Sequence, residues 1–445
     1  MLRGQPIPFV RQITDRPVSV TASAHSTALR QSVETSSRSL QAPRVLFYSH
    51  DSFGLGHIRR TLSLCETLRA RYEQASLLVL TGSSSISSLP MPTGVDWVKL
   101  PCVTKVGNGA YRSRFLPLAF DAMRNLRRGI IYSTTQAYRP SLVFVDNVPL
   151  GLEGELRSTL EWLRGRAPEA RIVLTLRDVI DEPERVMASW RESGTTEAVE
   201  RLFDDIVVFG SPDIFDIVSE YRWPQTLAAK CHYAGYIRRE PRGHVSDTRA
   251  QWSRGADRLI LVTVGGGGDG GPLVEHYLAG LEAAGSAGIG ASVHTLVVCG
   301  PEMSITTRDR IRTLHAHRGD VTFVDFSSDL VTLMAAADVV VSMGGYNTIC
   351  EVLSLGKPAV VMPRRHPRLE QWIRCTRMAA RGLLRVVHPD HNPATALIRE
   401  VRAALAAPAI DFASVNLGGL TTLEQLLPHL LTARRFNEVS CQCQP

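Results

Sequence analysis

The chain has 445 residues, 44% of them hydrophobic, and a formal net charge of +7. That length exceeds one ordinary domain and suits two of typical size plus tails, while no run approaches the ~20 apolar residues that a membrane-spanning helix needs. The positive balance favours anionic partners such as phosphorylated substrates, acidic lipid surfaces or nucleic acid, without choosing among them.

Residues 1–43 lack hydrophobic periodicity and are rich in Ser, Thr, Arg and Gln, with only Asp15 and Glu34 acidic. They are expected to be a disordered extension. An acid-poor, Arg- and Ser-rich start can also resemble an organelle transit peptide, but it has no apolar h-region for secretion. Strands and helices then alternate: a strand at 45–49, a loop carrying Gly54 and Gly56, an amphipathic helix at 58–72 and a strand at 77–80. Further apolar blocks at 142–145, 172–176, 206–209 and 232–234 are separated by helix-length intervals. This is the pattern of a parallel sheet covered on both faces. A polar interval at 238–258, containing Pro241, Gly243 and Gly255, interrupts it and is expected to be the interdomain linker.

The pattern restarts with a strand at 259–264, the run Gly265, Gly266, Gly267 and Gly268, and a helix at 272–284. Strands are predicted at 295–298, 321–324, 339–341, 359–361 and 384–387. The expected fold class is therefore α/β, with two doubly wound Rossmann-like domains facing a cleft, at 44–240 and 255–433, and a tail at 434–445. In open parallel sheets ligands gather at the carboxyl ends of the strands, where both glycine loops fall. Neither loop fits a dinucleotide or P-loop pattern, because the first lacks a third spaced glycine and the second lacks a following Lys-Ser or Lys-Thr. A run of glycines is also what a flexible turn would show.

The most informative stretch is 340–363. Gly344 and Gly345 allow a sharp turn, and a helix at 346–355 would offer free N–H groups and a favourable dipole to a phosphate, with Asn347 and Thr348 adding side-chain hydrogen bonds. One turn later Glu351 can accept hydrogen bonds from both hydroxyls of a ribose. A helix cap followed by a surface glutamate would look the same.

These residues resemble a known family. The second half is similar to the donor-binding domain of family-28 glycosyltransferases of the GT-B fold, most clearly over 321–387, through Asp325 to Leu330, the segment from Met343 to Glu351, and Leu369-Glu370-Gln371. In the first half the similarity is carried by the 45–49 strand and Gly54-x-Gly56-His57. The resemblance implies transfer of a hexosyl group from a nucleotide-diphosphate sugar, with uridine as the base, to an acceptor hydroxyl. It implies that Gly344, Gly345, Asn347 and Thr348 meet the diphosphate, that Glu351 binds the ribose, and that Glu370 and Gln371 contact the donor sugar. Gly265 to Gly268 would close over the phosphates from the other sheet. Phe326 lies where the family's base-binding backbone sits, although a phenylalanine at a strand end is usually core.

His57 follows the first glycine loop at a helix start, so it should face the cleft. It can act as the general base, inverting the anomeric centre, or simply bond the loop backbone. No Asp and His cluster at metal-ligand spacing appears, so no metal and no cofactor are expected, and the helix dipole would carry the leaving-group charge. Arg364, Arg365 or His366 could add to it. Asp146-Asn147 and Arg177-Asp178 follow predicted strands and would contact the acceptor or cap helices. The basic, partly apolar stretch from Lys105 to Arg139 could dock an anionic lipid surface or a phosphorylated, lipid-linked acceptor, or be an arginine-rich solvent face. Nucleic acid is not an expected partner. The scattered cysteines, with only Cys441 and Cys443 close together, suit reduced thiols in a cytoplasmic protein with peripheral membrane contact. Two alternatives remain open at this level: a sugar-nucleotide epimerase of the same architecture, and a noncatalytic donor-binding protein, the latter because Phe53 and Leu55 stand in the first loop.

Overall fold

The computed structural model describes residues 42–50, 56–84, 86–105, 111–285, 289–290, 292–408, 410 and 412–432. The expectations for the extension before residue 42, for Gly54 and for the tail beyond 432 fall outside these residues. The first half contributes β1 (Arg44–Ser49), β2 (Ser76–Thr81), β3 (Val95–Lys99), β4 (Val103–Lys105), β5 (Tyr111–Ser113), β6 (Leu142–Asp146), β7 (Arg171–Arg177), β8 (Asp205–Phe209) and β9 (Cys231–Tyr233). The second contributes β10 (Arg258–Thr263), β11 (Val293–Val298), β12 (Val321–Val324), β13 (Val339–Ser342), β14 (Ala359–Val361) and β15 (Arg385–Val386).

Two parallel sheets result, ordered β3-β2-β1-β6-β7-β8-β9 and β12-β11-β10-β13-β14-β15, with β4 and β5 forming a separate antiparallel hairpin. In each sheet the chain winds outward, returns past its first strand and continues the other way. The order therefore reverses between β1 and β6 and again between β10 and β13, and loops leaving such strand pairs part to open a crevice. Both halves are thus Rossmann-like, as the alternation of apolar blocks predicts.

Strand pleat decides how the core divides. Val45 and Phe47 of β1 and Leu259 and Leu261 of β10 point into one apolar cluster shared by both halves, whereas Leu46 and Tyr48 join a cluster on the far face of the first sheet. Ile260 and Val262 join another on the far face of the second sheet. The shared cluster also takes in Tyr346, Ile349 and Leu353 of the helix Tyr346–Leu355, and Leu423 and Leu427 of the final helix Gly419–Leu430. That last helix packs on Gly56–Arg71 of the first half, and its start is tied by Gly419 N–H donating to Tyr236 O at 3.0 Å.

The polar interval at 238–258 is not simply an open connection. Val245–Ser253 is helical, and Arg249 holds it to the second half through Ala336 O at 2.7 Å and Asp338 Oδ2 at 2.9 Å. The hairpin and β3 carry no strong alternating pattern and are not foreseen by it. The six described cysteines are free, five of them buried. Among the described residues no helix is long and apolar enough to cross a membrane.

Candidate active site

The first crevice is built from the end of β6 and the start of the helix Gly56–Arg71. His57 occupies the first turn of that helix, and its Nδ1 lies 2.5 Å from Asp146 Oδ2. Arg60, almost fully buried, donates from Nε to Asp146 Oδ1 at 3.0 Å and also from Nη2. A carboxylate can only accept, so Nδ1 carries the proton and Nε2 keeps its lone pair. Burial alone would raise the Asp146 pKa, but Arg60 and His57 outweigh it and hold the carboxyl well below the usual range. His57 is lowered to about 4, first by burial and then by the positive charge of Arg177, with Asp146 opposing. Its imidazole is therefore neutral at pH 7 and oriented by an ionised carboxylate. The His50 ring stands edge-on to it, 5.9 Å away.

The second crevice lies where β10 and β13 run side by side. Gly344 has φ of 79°, and a Cβ there would sit 2.3 Å from Cys375 Sγ, so only glycine can make this turn. Gly345 then caps the helix Tyr346–Leu355. Gly265 to Gly268 follow β10, and a Cβ on Gly265 would lie 3.9 Å from Thr348 Oγ1. The Gly265 turn therefore lies against the start of the Tyr346–Leu355 helix, and the two glycine turns rise from neighbouring strands of one sheet. The expectation that Gly265 to Gly268 close in from the other sheet is corrected accordingly. The opposing sheet instead supplies the N-terminus of Gly56–Arg71, and Asn347 Nδ2 reaches across to donate to Gly56 O at 3.3 Å. Two helix N-termini thus face one another across the cleft, a doubly favourable place for an anion.

Between them sits Tyr346, whose hydroxyl donates to Phe209 O at 2.8 Å. Its ring is approached by three guanidinium groups, Arg60 at 5.9 Å, Arg177 at 5.6 Å and Arg374 at 5.6 Å. Arg374 is paired with Asp178 through contacts of 2.7–2.9 Å, both side chains being buried, and Tyr236 donates to the same carboxylate at 2.9 Å. Arg60 is paired with Asp146. Arg177 has no carboxylate or hydrogen-bond partner among the described residues, and its Nε is buried without one. Burial, Arg60 and Arg374 lower its pKa to about 10.

Glu351 is buried, with Arg59 Nη1 of the first half 3.8 Å from its carboxylate. Burial raises its pKa, and Arg59 and Arg239 oppose the rise. Glu370 binds Arg364 Nη2 at 2.6 Å through Oε1, while its Oε2 is buried without a partner among the described residues. Burial would raise the Glu370 pKa, but Arg364 prevails and lowers it. Gln371 Oε1 accepts from Arg364 N–H at 3.3 Å. Arg364 also reaches Asp269 of the glycine run at 2.8 Å, so its charge is locally cancelled. Arg365 turns to Asp390 at 3.0 Å and lies over Trp372. Phe326 is not core: 45% of it is exposed at the end of β12.

The strand-end pairs carry more than the sequence assigned to them. Asp146 orients His57, and Asp178 anchors Arg374. Tyr346, Arg60 and Arg374 are missed altogether, because partners separated by 86 and 196 positions leave no local spacing to find.

Residues 260–373 match the model of the glycosyltransferase family 28 C-terminal domain. The UDP-N-acetylglucosamine--N-acetylmuramyl-(pentapeptide) pyrophosphoryl-undecaprenol N-acetylglucosamine transferase of Corynebacterium efficiens is 32% identical over 179 residues, 39% of this chain and 46% of that protein. Its counterpart from Mannheimia succiniciproducens is 28% identical over 94 residues, 20% of this chain and 26% of the relative. The chain thus spans less than half the length of these curated relatives. Among solved structures, the glycotransferase of kitacinnamycin aligns with a TM-score of 0.59 at 16% identity, covering 88% of this chain and 99% of that one. Acinetobacter baumannii MurG gives 0.55 at 13%, covering 87% and 99%, and Medicago truncatula UGT71G1 complexed with UDP-glucose gives 0.56 at 13%, covering 88% and 98%. The fold is the GT-B fold of these glycosyltransferases, and the chain resembles family 28 within it.

Asp178→Asn should destabilise the protein by ~3–5 kcal/mol, because it strands the Arg374 guanidinium without its counter-charge. Chemical denaturation measures this, and replacing both partners with apolar residues of similar volume should cost clearly less.

Proposed function

We propose that this chain is an inverting glycosyltransferase that moves a hexosyl group from a uridine-diphosphate sugar to an acceptor hydroxyl, with His57 as general base. The observation that carries this is the His57–Asp146 pair at one topological crossover, facing the Tyr346–Leu355 helix N-terminus at the other. The similar UDP-N-acetylglucosamine-dependent transferase of Corynebacterium efficiens and UGT71G1 complexed with UDP-glucose support the uridine donor.

The acceptor oxygen attacks the anomeric carbon as His57 Nε2 takes its proton, and the bond to the diphosphate oxygen breaks in the same displacement, which inverts the centre. Asp146 stabilises the imidazolium that forms. Positive charge for the departing diphosphate comes from the two helix N-termini and from Arg177, so no metal is assigned to this step. Gly344, Gly345, Asn347 and Thr348 with Gly265 to Gly268 form the phosphate cradle, Glu351 binds the ribose, and Gln371 and the unpartnered Oε2 of Glu370 accept from sugar hydroxyls. A pKa near 4 makes His57 a weak base in the free protein. Diphosphate bound beside Arg177 offsets the charge that depresses it, raising the base toward its working range when donor is present.

The acceptor is proposed to be lipid-linked and reached from a membrane surface. Phe115, Leu116, Leu118 and Leu126 are exposed, Phe115 by 68%, and they cluster in sequence with the exposed Arg112, Arg114 and Arg128. Arg127 does not belong to this face, since it turns inward and binds Glu155 at 2.6 and 2.7 Å. Exposed apolar side chains interspersed with arginines along the chain suit the headgroup region of an anionic bilayer.

With purified protein, a uridine-diphosphate sugar and a lipid-linked acceptor, His57→Ala should lower turnover ~10²–10⁴-fold while leaving UDP affinity nearly intact. Glu351→Ala should weaken UDP binding first, as read by calorimetry. Full turnover by the His57 variant would remove it as the base. In co-sedimentation with phosphatidylglycerol vesicles, the Phe115→Ser/Leu116→Ser protein should lose at least ~10-fold in partitioning, and unchanged partitioning would dismiss this surface as the docking face.

A further inference from the structure

At the opposite end of the first sheet from the cleft, three neighbouring strands place polar side chains together. Arg171 opens β7, Asp205 opens β8 and His232 lies in β9. The C-terminal helix Gly419–Leu430 delivers His429 to the same spot. His232 Nε2 and His429 Nε2 each lie 3.1 Å from the same oxygen, Asp205 Oδ1, and all three atoms lie within 4.8 Å of one another. The other carboxylate oxygen, Oδ2, is held by Arg171 Nη2 at 2.6 Å.

Hydrogen bonding alone does not satisfy this arrangement. Arg171 Nη2 also stands 3.0 Å from His429 Nε2. A protonated Nε2 could donate to Asp205 but would then oppose the guanidinium, and an unprotonated one could accept from Arg171 but would set its lone pair against a carboxylate lone pair. Either tautomer leaves one of the two contacts unfavourable. A cation shared by the lone pairs of Oδ1 and both Nε2 atoms satisfies those three donors only with the Arg171 guanidinium turned away from His429 and kept on Oδ2 alone. Metal–nitrogen and metal–oxygen bonds of ~2.0–2.2 Å place tetrahedral ligands ~3.3 Å apart, close to the two 3.1 Å edges seen here. Asp205 is buried while the side chains of His232 and His429 are 31% and 52% exposed, which leaves an open side for a water as the fourth ligand.

We propose that Asp205, His232 and His429 bind one divalent transition-metal ion of the zinc class, which fastens the C-terminal helix to the first sheet. Two imidazoles and one carboxylate are a donor set suited to zinc or cobalt. Arg171 acts outside the ligand set, fixing the carboxylate so that Oδ1 faces the ion. Because the helix reaches its ligand position only in the folded chain, the ion stabilises the native state and leaves the distant cleft chemistry untouched.

The test uses the full chain, stripped with chelator and titrated with Co²⁺ and then Zn²⁺. One equivalent should bind, the cobalt spectrum should lack a thiolate charge-transfer band, and the thermal midpoint should rise on loading. His232→Ala and His429→Ala should each weaken binding at least ~10-fold, and the double variant should bind none and lose the thermal shift. A thiolate band would move the ion to cysteines such as Cys441 and Cys443 and overturn the proposal. So would uptake unchanged in the double variant, or no uptake by the natural chain, which would make the cluster a hydrogen-bonded latch with Arg171 as its only cation.

Discussion

The buried pair of Arg374 with Asp178 is the interaction on which the rest of the site depends. Asp178 follows the β7 strand of the first sheet and Arg374 lies on a helix of the second half, so the pair ties the two halves together across the cleft. Charges this deep are stable only with complete partners, which Arg374 and the Tyr236 hydroxyl supply to Asp178. With that contact set, Tyr346 is held under Phe209 O and the two helix N-termini meet at Asn347 and Gly56. The apolar cluster running from β1 through Tyr346 to the last helix gives the same closure its hydrophobic part.

Charge arithmetic in the cleft follows from this closure. Arg60, Arg177 and Arg374 surround one tyrosine ring, and among the described residues Asp146 and Asp178 are the carboxylates paired with them. Among the described residues Arg177 is the one of the three without a paired carboxylate, and it is also the charge that helps push His57 down to about 4. One residue therefore both leaves positive charge in the cleft and helps hold the His57 imidazole neutral. Metal or no metal, a leaving diphosphate would enter a region already short of negative charge.

Much of the fold was legible because parallel strands buried on both faces must be apolar throughout. The 321–324 and 359–361 strands and the helix at 346–355 coincide with β12, β14 and Tyr346–Leu355. Gly344 was legible because its turn excludes every other residue. The sequence pattern is silent where tertiary contacts decide: β3 and the β4–β5 hairpin lack periodicity, and the helix Val245–Ser253 inside the polar 238–258 interval is held by Arg249 on Asp338. Side-chain roles were harder still. Asp146 could be placed at a strand end, but only the fold puts it beside His57, 89 positions away. Asp205, His232 and His429 share no sequence neighbourhood, so their cluster has no signature along the chain.

The central claim is that His57 is a neutral base held by Asp146 and tuned by the charge of the bound donor. Nitrogen NMR of the His57 imidazole, followed through a pH titration with and without UDP, measures it directly. The account predicts a neutral ring with the proton on Nδ1 at pH 7, taking up its second proton near pH 4 in the free protein and at clearly higher pH with UDP bound, since added negative charge favours the imidazolium. A ring protonated on Nε2, or one titrating near ~6.5 like an unperturbed histidine and indifferent to UDP, would contradict it.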